Sequence, residues 1–105
     1  MRKFSISKAI RANRKAGGHF FDDDTIRWFR SDIDDTVYEF FFVTSEQFDD
    51  DSPRRFTIRA INWDTGAIVT FGAFGQFEDL EDATEIANQL ANEFTHDDFW
   101  YERTK

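Results

Sequence analysis

The sequence predicts an α+β fold: a small antiparallel sheet with helices packed on it. Three observations lead there. Val37 to Thr44 is a run of large apolar and β-branched residues with strand composition. Asp64-Thr65-Gly66 is a tight-turn signal between two further strand-like stretches. From Leu80 to Phe94, apolar residues recur at helical spacing behind a capping aspartate, Asp79.

In chain order, Ser5 or Ser7 caps a first helix that runs to about Ala16 and stops at Gly17-Gly18. Ile6, Ala9, Ile10 and Ala12 form its narrow apolar stripe, and Lys8, Arg11, Arg14 and Lys15 fill the rest. An aspartate of Asp22-Asp23-Asp24 then caps a short helical turn, Thr25 to about Arg30, and Ser31 to Asp35 reads as a loop. The first strand, Val37 to Thr44, is apolar on both faces, with Val37, Phe41 and Val43 on one and Tyr38, Phe40 and Phe42 on the other. Such a strand is covered twice or keeps one face for a partner, which includes a second copy in a homodimer.

An acidic loop ending in Ser52-Pro53 leads to the second strand, Arg55 to Asn62, and the third runs from Ala67 to about Phe74 near Gly72 and Gly75. Asp79 with Asp82 resembles a capping box, with Phe77 packing back as a staple. The helix that follows presents Leu80, Ala83, Ile86, Ala87, Leu90, Ala91 and Phe94 on one face and acids and amides on the other. In the tail, Phe99-Trp100-Tyr101 is apolar enough to dock on the sheet, on the side opposite that helix. With 105 residues, no repeat and no linker, the chain is expected to form a single domain, 1–105.

Charge divides the chain more sharply than hydropathy does. Residues 1–18 carry six Lys/Arg and no acid, while residues 19–105 carry 21 Asp/Glu against seven Lys/Arg. A lead of +6 on a body of −14 gives the net charge of −8. Split charge of this kind bears on association rather than on fold. The absence of Cys excludes disulfides, thiol catalysis and Cys-based zinc sites. No apolar run reaches membrane-spanning length, and the basic start lacks the apolar stretch of a secretory signal. A cytoplasmic location without membrane contact is the expectation.

Two surfaces carry candidate function. The acidic one comprises Asp22, Asp23, Asp24, Asp32, Asp34, Asp35, Asp49, Asp50, Asp51, Glu78, Asp82 and Glu85, a set able to imitate a phosphate track for a basic groove in another protein. Its plain alternative is solubility. The basic one comprises Arg2, Lys3, Lys8, Arg11, Arg14 and Lys15, which suit phosphate contacts or else neutralise part of the acidic body.

The remaining polar groups read as structural. Arg54, Arg55 and Arg59 suit an anion clamp or ion pairs with the preceding aspartates. His19 and His96 with Ser45 and Glu46 lack the glycine pattern of a nucleophile elbow. Three adjacent carboxylates do not converge on one ion, so no metal, cofactor or catalytic residue is assigned and no enzyme activity is expected.

Two stretches add a resemblance. They are His19-Phe20-Phe21 with Asp24 to Phe29, and Phe42 to Asp49 with Ser52-Pro53-Arg54-Arg55-Phe56-Thr57-Ile58-Arg59. Together they resemble a family of small uncharacterised proteins encoded by bacteriophages and other mobile elements, over about residues 8 to 90. The resemblance implies a setting in which small acidic proteins bind host machinery, including CRISPR and restriction enzymes. The leading expectation is therefore an acidic inhibitor of a host nucleic-acid-handling defence protein, of the anti-CRISPR or antirestriction type, with DNA mimicry as a mode of action. The alternative is a nucleic-acid-binding accessory protein that uses the basic helix.

Overall fold

The computed structural model describes residues 4–21, 39–47 and 51–104. Helix α1 spans Ile6–Lys15, with Ser5 as its N-cap accepting from the Lys8 amide. Its end is a Schellman stop: the Gly18 amide donates to Asn13 O at 2.8 Å and the Gly17 amide to Arg14 O at 3.0 Å. Gly17 takes the left-handed conformation this motif needs, at φ 83. Of the expected stripe, Ala9 is fully buried, and Ile6, Ile10 and Ala12 pack partly buried against the core.

The sheet has the order β1-β2-β3, with β1 Phe41–Glu46, β2 Arg55–Ile61 and β3 Ile68–Phe71, antiparallel throughout. Among the described residues the first strand starts at Phe41, because Glu39 turns the chain at φ 67 and Phe40 still lies in that turn; Val37 and Tyr38 lie outside the described residues. The third strand is shorter, since Gly72 at φ 80 breaks the extended backbone directly after Phe71. The expected tight turn at Asp64-Thr65-Gly66 is a wider loop organised by buried Asn62. Its side-chain Oδ1 accepts from the Asp64 and Thr65 amides, and its carbonyl accepts from the Gly66 amide at 2.7 Å.

Helix α2, Leu80–Glu93, is capped by Asp79, whose Oδ1 accepts from the Glu81 amide at 2.9 Å. Phe77 rejoins the sheet as an isolated bridge to Phe56 and packs partly buried against the core. The expected apolar face is only half used. Ala83, Ala87, Leu90 and Ala91 are buried, whereas Leu80, Ile86 and Phe94 stay more than a third exposed. The tail is a helix, α3, His96–Thr104, with Thr95 Oγ1 accepting from the Asp98 amide at its start.

Phe41 and Phe42 are both 0% exposed, so one copy of the chain suffices to cover both sides of β1. Side chains alternate along a strand, which puts the two rings on opposite faces. On the Phe41 face, Phe99 of α3 packs at 5.1 Å from Phe41 and 6.2 Å from Phe71. Phe94 at the end of α2 meets Phe99 at 5.8 Å, and α2 lies across β1 and β2. The aromatic tail thus shares its face with α2 and does not cover the opposite side.

On the Phe42 face, Phe4 stacks on Phe42 at 4.7 Å and Phe20 meets it edge-on. Phe4 and Phe20 flank α1 in sequence, so α1 sits on this second side. Arg59, buried opposite Phe42, donates to Thr44 and Thr70 hydroxyls with its guanidinium beside the Phe20 and Phe74 rings. It is therefore part of the packing rather than a surface anion clamp.

Candidate functional site

Among the described residues, the cations of α1 and the carboxylates of α2 lie on opposite sides of the sheet. On one side, α1 is held to the loop after β2 by Asn13, a buried residue outside the apolar stripe. Its Nδ2 donates to Gly66 O at 2.8 Å and its Oδ1 accepts from the Phe20 amide at 3.2 Å. The approach is close enough that a Cβ on Gly66 would lie 2.3 Å from Ala12 O.

Helix and loop enclose a groove of about 530 Å³, lined by Lys8, Arg11, Ala12, Lys15 and Ala16 on α1 and by Trp63, Asp64, Thr65 and Gly66 on the loop. Lys8, Arg11 and Lys15 are exposed and make no side-chain hydrogen bond or ion pair among the described residues. Arg14 points elsewhere and donates to Phe21 O at 3.4 Å. Arg2 and Lys3 lie outside the described residues.

On the other side, α2 carries Glu81, Asp82, Glu85 and Glu93 and no Lys or Arg in its 14 residues. Asp79, Leu80, Glu81, Thr84, Glu85, Asn88, Gln89 and Asn92 line an open groove of about 790 Å³ on α2. Asp82 is exposed on the flank beside it. Glu78 belongs less to this surface, because it pairs with Arg55 at 3.0 Å. Arg55 also donates to the Gly75 and Gln76 carbonyls, so its role is to hold the chain between β3 and α2. Asp51 is exposed in the loop after β1. Asp22, Asp23, Asp24, Asp32, Asp34, Asp35, Asp49 and Asp50 lie outside the described residues, as does the expected short helical turn.

The molecule measures 40 × 30 × 25 Å. Screening at physiological salt acts over about 8 Å, well under the shortest of these dimensions. Each charged side therefore acts on its surroundings as a local field, despite the net charge of the whole.

One cluster has metal-ligand composition: Asp64, His96 and Asp97 bring a ligand atom each within 4.8 Å of one another. The hydrogen bonds give it another role. His96 Nε2 accepts from the Trp63 amide at 2.9 Å, which leaves the proton on Nδ1, 3.1 Å from Asp97 Oδ1. His96 Nε2 thus latches the start of α3 to the loop after β2, while Nδ1 meets its neighbour Asp97 within α3. Trp100 Nε1 adds a second latch, donating to Ile61 O at 3.0 Å. Ser45 is fully buried with its Oγ accepting from Arg54 Nε at 2.6 Å, so it offers no exposed hydroxyl for a hydrolytic triad.

Sequence reasoning missed the parts of both grooves that depend on folding. Trp63 and Gly66 come to α1 from about 50 positions away, and no local pattern marks them. Asp79 was legible as a cap, Glu81 was not singled out beside Asp82, and the nearness of Glu81 to Glu85 follows from helical spacing alone.

No helix among the described residues is long and apolar enough to cross a membrane. No curated protein and no solved structure matches the chain. One family model does, over residues 5–88, which covers α1, the whole sheet and the first two turns of α2 but leaves out α3. The chain belongs to the family of unknown function DUF7447.

Proposed function

We propose that this chain is an interaction protein whose α2 side docks into the basic groove of a nucleic-acid-handling protein and competes there with nucleic acid. The observation that carries the reading is the uncompensated acidity of α2, exposed around a groove with Leu80 at its edge. Glu81 and Asp82 also favour the positive end of the helix dipole, which is a purely structural benefit. Glu85 lies beyond that first turn and repels Glu81 at i,i+4, at a cost of about 0.2–0.5 kcal/mol. A helix selected only for stability would place Lys or Arg there.

Carboxylates supply steering toward a basic surface, and Leu80 supplies an apolar contact inside it. Together with the resemblance to phage and mobile-element proteins, this points to an inhibitor of a bacterial defence protein, of the anti-CRISPR or antirestriction type, acting in the host cytoplasm without catalysis.

The test is displacement of labelled duplex from a candidate effector by added chain, at rising salt. Inhibition is expected to fade steeply with salt and to disappear when Glu81, Asp82 and Glu85 are replaced by Lys. Inhibition that survives this triple reversal would remove α2 from the mechanism.

The groove on α1 favours a second reading, direct contact with nucleic acid. Three cations without a partner among the described residues, on one side of one helix, suit phosphates.

A further inference from the structure

Resting on that second reading, we propose that the groove between α1 and the Trp63–Gly66 loop is a site for single-stranded nucleic acid. It takes one unstacked base against Trp63 and the adjoining phosphates against Lys8, Arg11 and Lys15.

Helical geometry places the three cations in line. Positions 8, 11 and 15 follow the i, i+3, i+7 spacing, and at 1.5 Å rise per residue they stand about 4.5 and 6 Å apart along the axis. Ala12 and Ala16 lie among them and form a floor of small side chains, so the row of charges borders a trough rather than a ridge. The opposite wall is Trp63, half-buried and braced by Phe4 at 5.9 Å between ring centres. Its backbone amide is fixed by His96 Nε2 at 2.9 Å.

A braced indole beside a row of cations is the pairing that single strands need. The ring stacks on any base, and the charges follow the backbone. Duplex withholds its base faces from such a ring, so an unpaired segment is the ligand that uses both walls.

Lys8 argues for a ligand independently of the cavity. It stands in the first turn of α1, near the positive end of the helix dipole, where a cation is unfavourable. It has no partner among the described residues to offset that cost. Among the described residues of the groove lining, Asp64 is the carboxylate, and it sets a limit on affinity.

The experiment is fluorescence anisotropy of a fluorescein-labelled ten-nucleotide oligothymidine against the full chain, between 50 and 200 mM salt. Three phosphate contacts predict a slope of log affinity on log salt of about −2, reduced to about −1.4 in Lys8→Gln. Trp63→Ala is expected to weaken binding about tenfold, and Trp63→Phe, which keeps an aromatic face, by about threefold at most. Asp64→Asn is expected to strengthen binding severalfold at low salt. The same sequence annealed to its complement should bind at least about tenfold more weakly.

Absence of any binding at 50 mM salt would overturn the site and the second reading together. Binding with the full salt slope that Trp63→Ala and Trp63→Phe both leave unchanged would overturn the site alone, leaving a charged surface without a base pocket. Loss of binding in both Trp63 variants while both keep the wild-type melting temperature would also overturn it, because Phe retains the stacking face. Binding of the oligonucleotide is expected to be unchanged by the Glu81, Asp82 and Glu85 reversal, which separates this site from the α2 reading.

Discussion

The two sides of the sheet are built on different principles. The α2 side is joined by area: Phe41, Ile58, Ala60, Ala83, Ala87, Leu90, Ala91 and Phe99 are all buried, and the alanines let the helix lie close to the strands. The α1 side also buries apolar groups, among them Phe4, Ala9, Phe21 and Phe42, and adds directed contacts: the Phe4 ring on Phe42, and the two hydrogen bonds of Asn13 that tie α1 to Gly66 and Phe20. Area contributes stability in proportion to what is removed from water, at roughly 25 cal/mol per Å². Directed polar contacts contribute less, but they fix position. Close helix-on-strand packing thus lies behind the acidic surface, and the directed polar contacts of Asn13 lie behind the basic groove.

The largest effect that distinguishes the sides comes from Phe41→Ala. It empties the centre of the area-built side and is expected to cost about 3–5 kcal/mol in denaturant unfolding. A loss below about 1 kcal/mol would mean that Phe41 does not anchor this face. On the other side, Asn13→Ala leaves a carbonyl and an amide without their partner, and about 1–3 kcal/mol is expected to be lost. Hydrogen exchange should then show α1 opening while β1 and β2 keep their protection. Equal loss of protection on both sides would erase the contrast. Asp79→Ala removes the cap of α2 and is expected to cost about 1 kcal/mol. The smallest effect is Glu78→Gln, under about 1 kcal/mol, because its pair with Arg55 lies at the surface with Glu78 largely exposed.

What was legible in the sequence follows the range of the interactions. Ser5, the Gly17-Gly18 stop and Asp79 act within a few residues of themselves, and the structure uses each as expected. The antiparallel sheet was legible because its strands are apolar and its connections short. The start of β1 was not, since Val37 to Phe40 has strand composition and only the backbone at Glu39 shows where the strand begins. Helix α3 escaped because Phe99, Trp100 and Tyr101 are consecutive and leave no helical stripe, with Tyr101 62% exposed. Thr95 followed three residues later by Asp98 was the available signal for its start. The groove on α1 was half legible: its cations are local to one helix, but Trp63 and Gly66 reach it only through the β2–β3 loop.

The central claim is that the acidic side of the sheet, and not the basic one, engages a protein partner. The most direct measurement recovers partners of the tagged chain from a nuclease-treated bacterial host lysate at low and moderate salt. Three chains are compared: wild type, the Glu81, Asp82 and Glu85 reversal to Lys, and the Lys8, Arg11 and Lys15 change to Gln. The account predicts a stoichiometric nucleic-acid-binding protein with wild type and with the α1 variant, lost with the α2 variant and weakened by salt. Recovery that survives the α2 reversal and is lost with the α1 variant would contradict it.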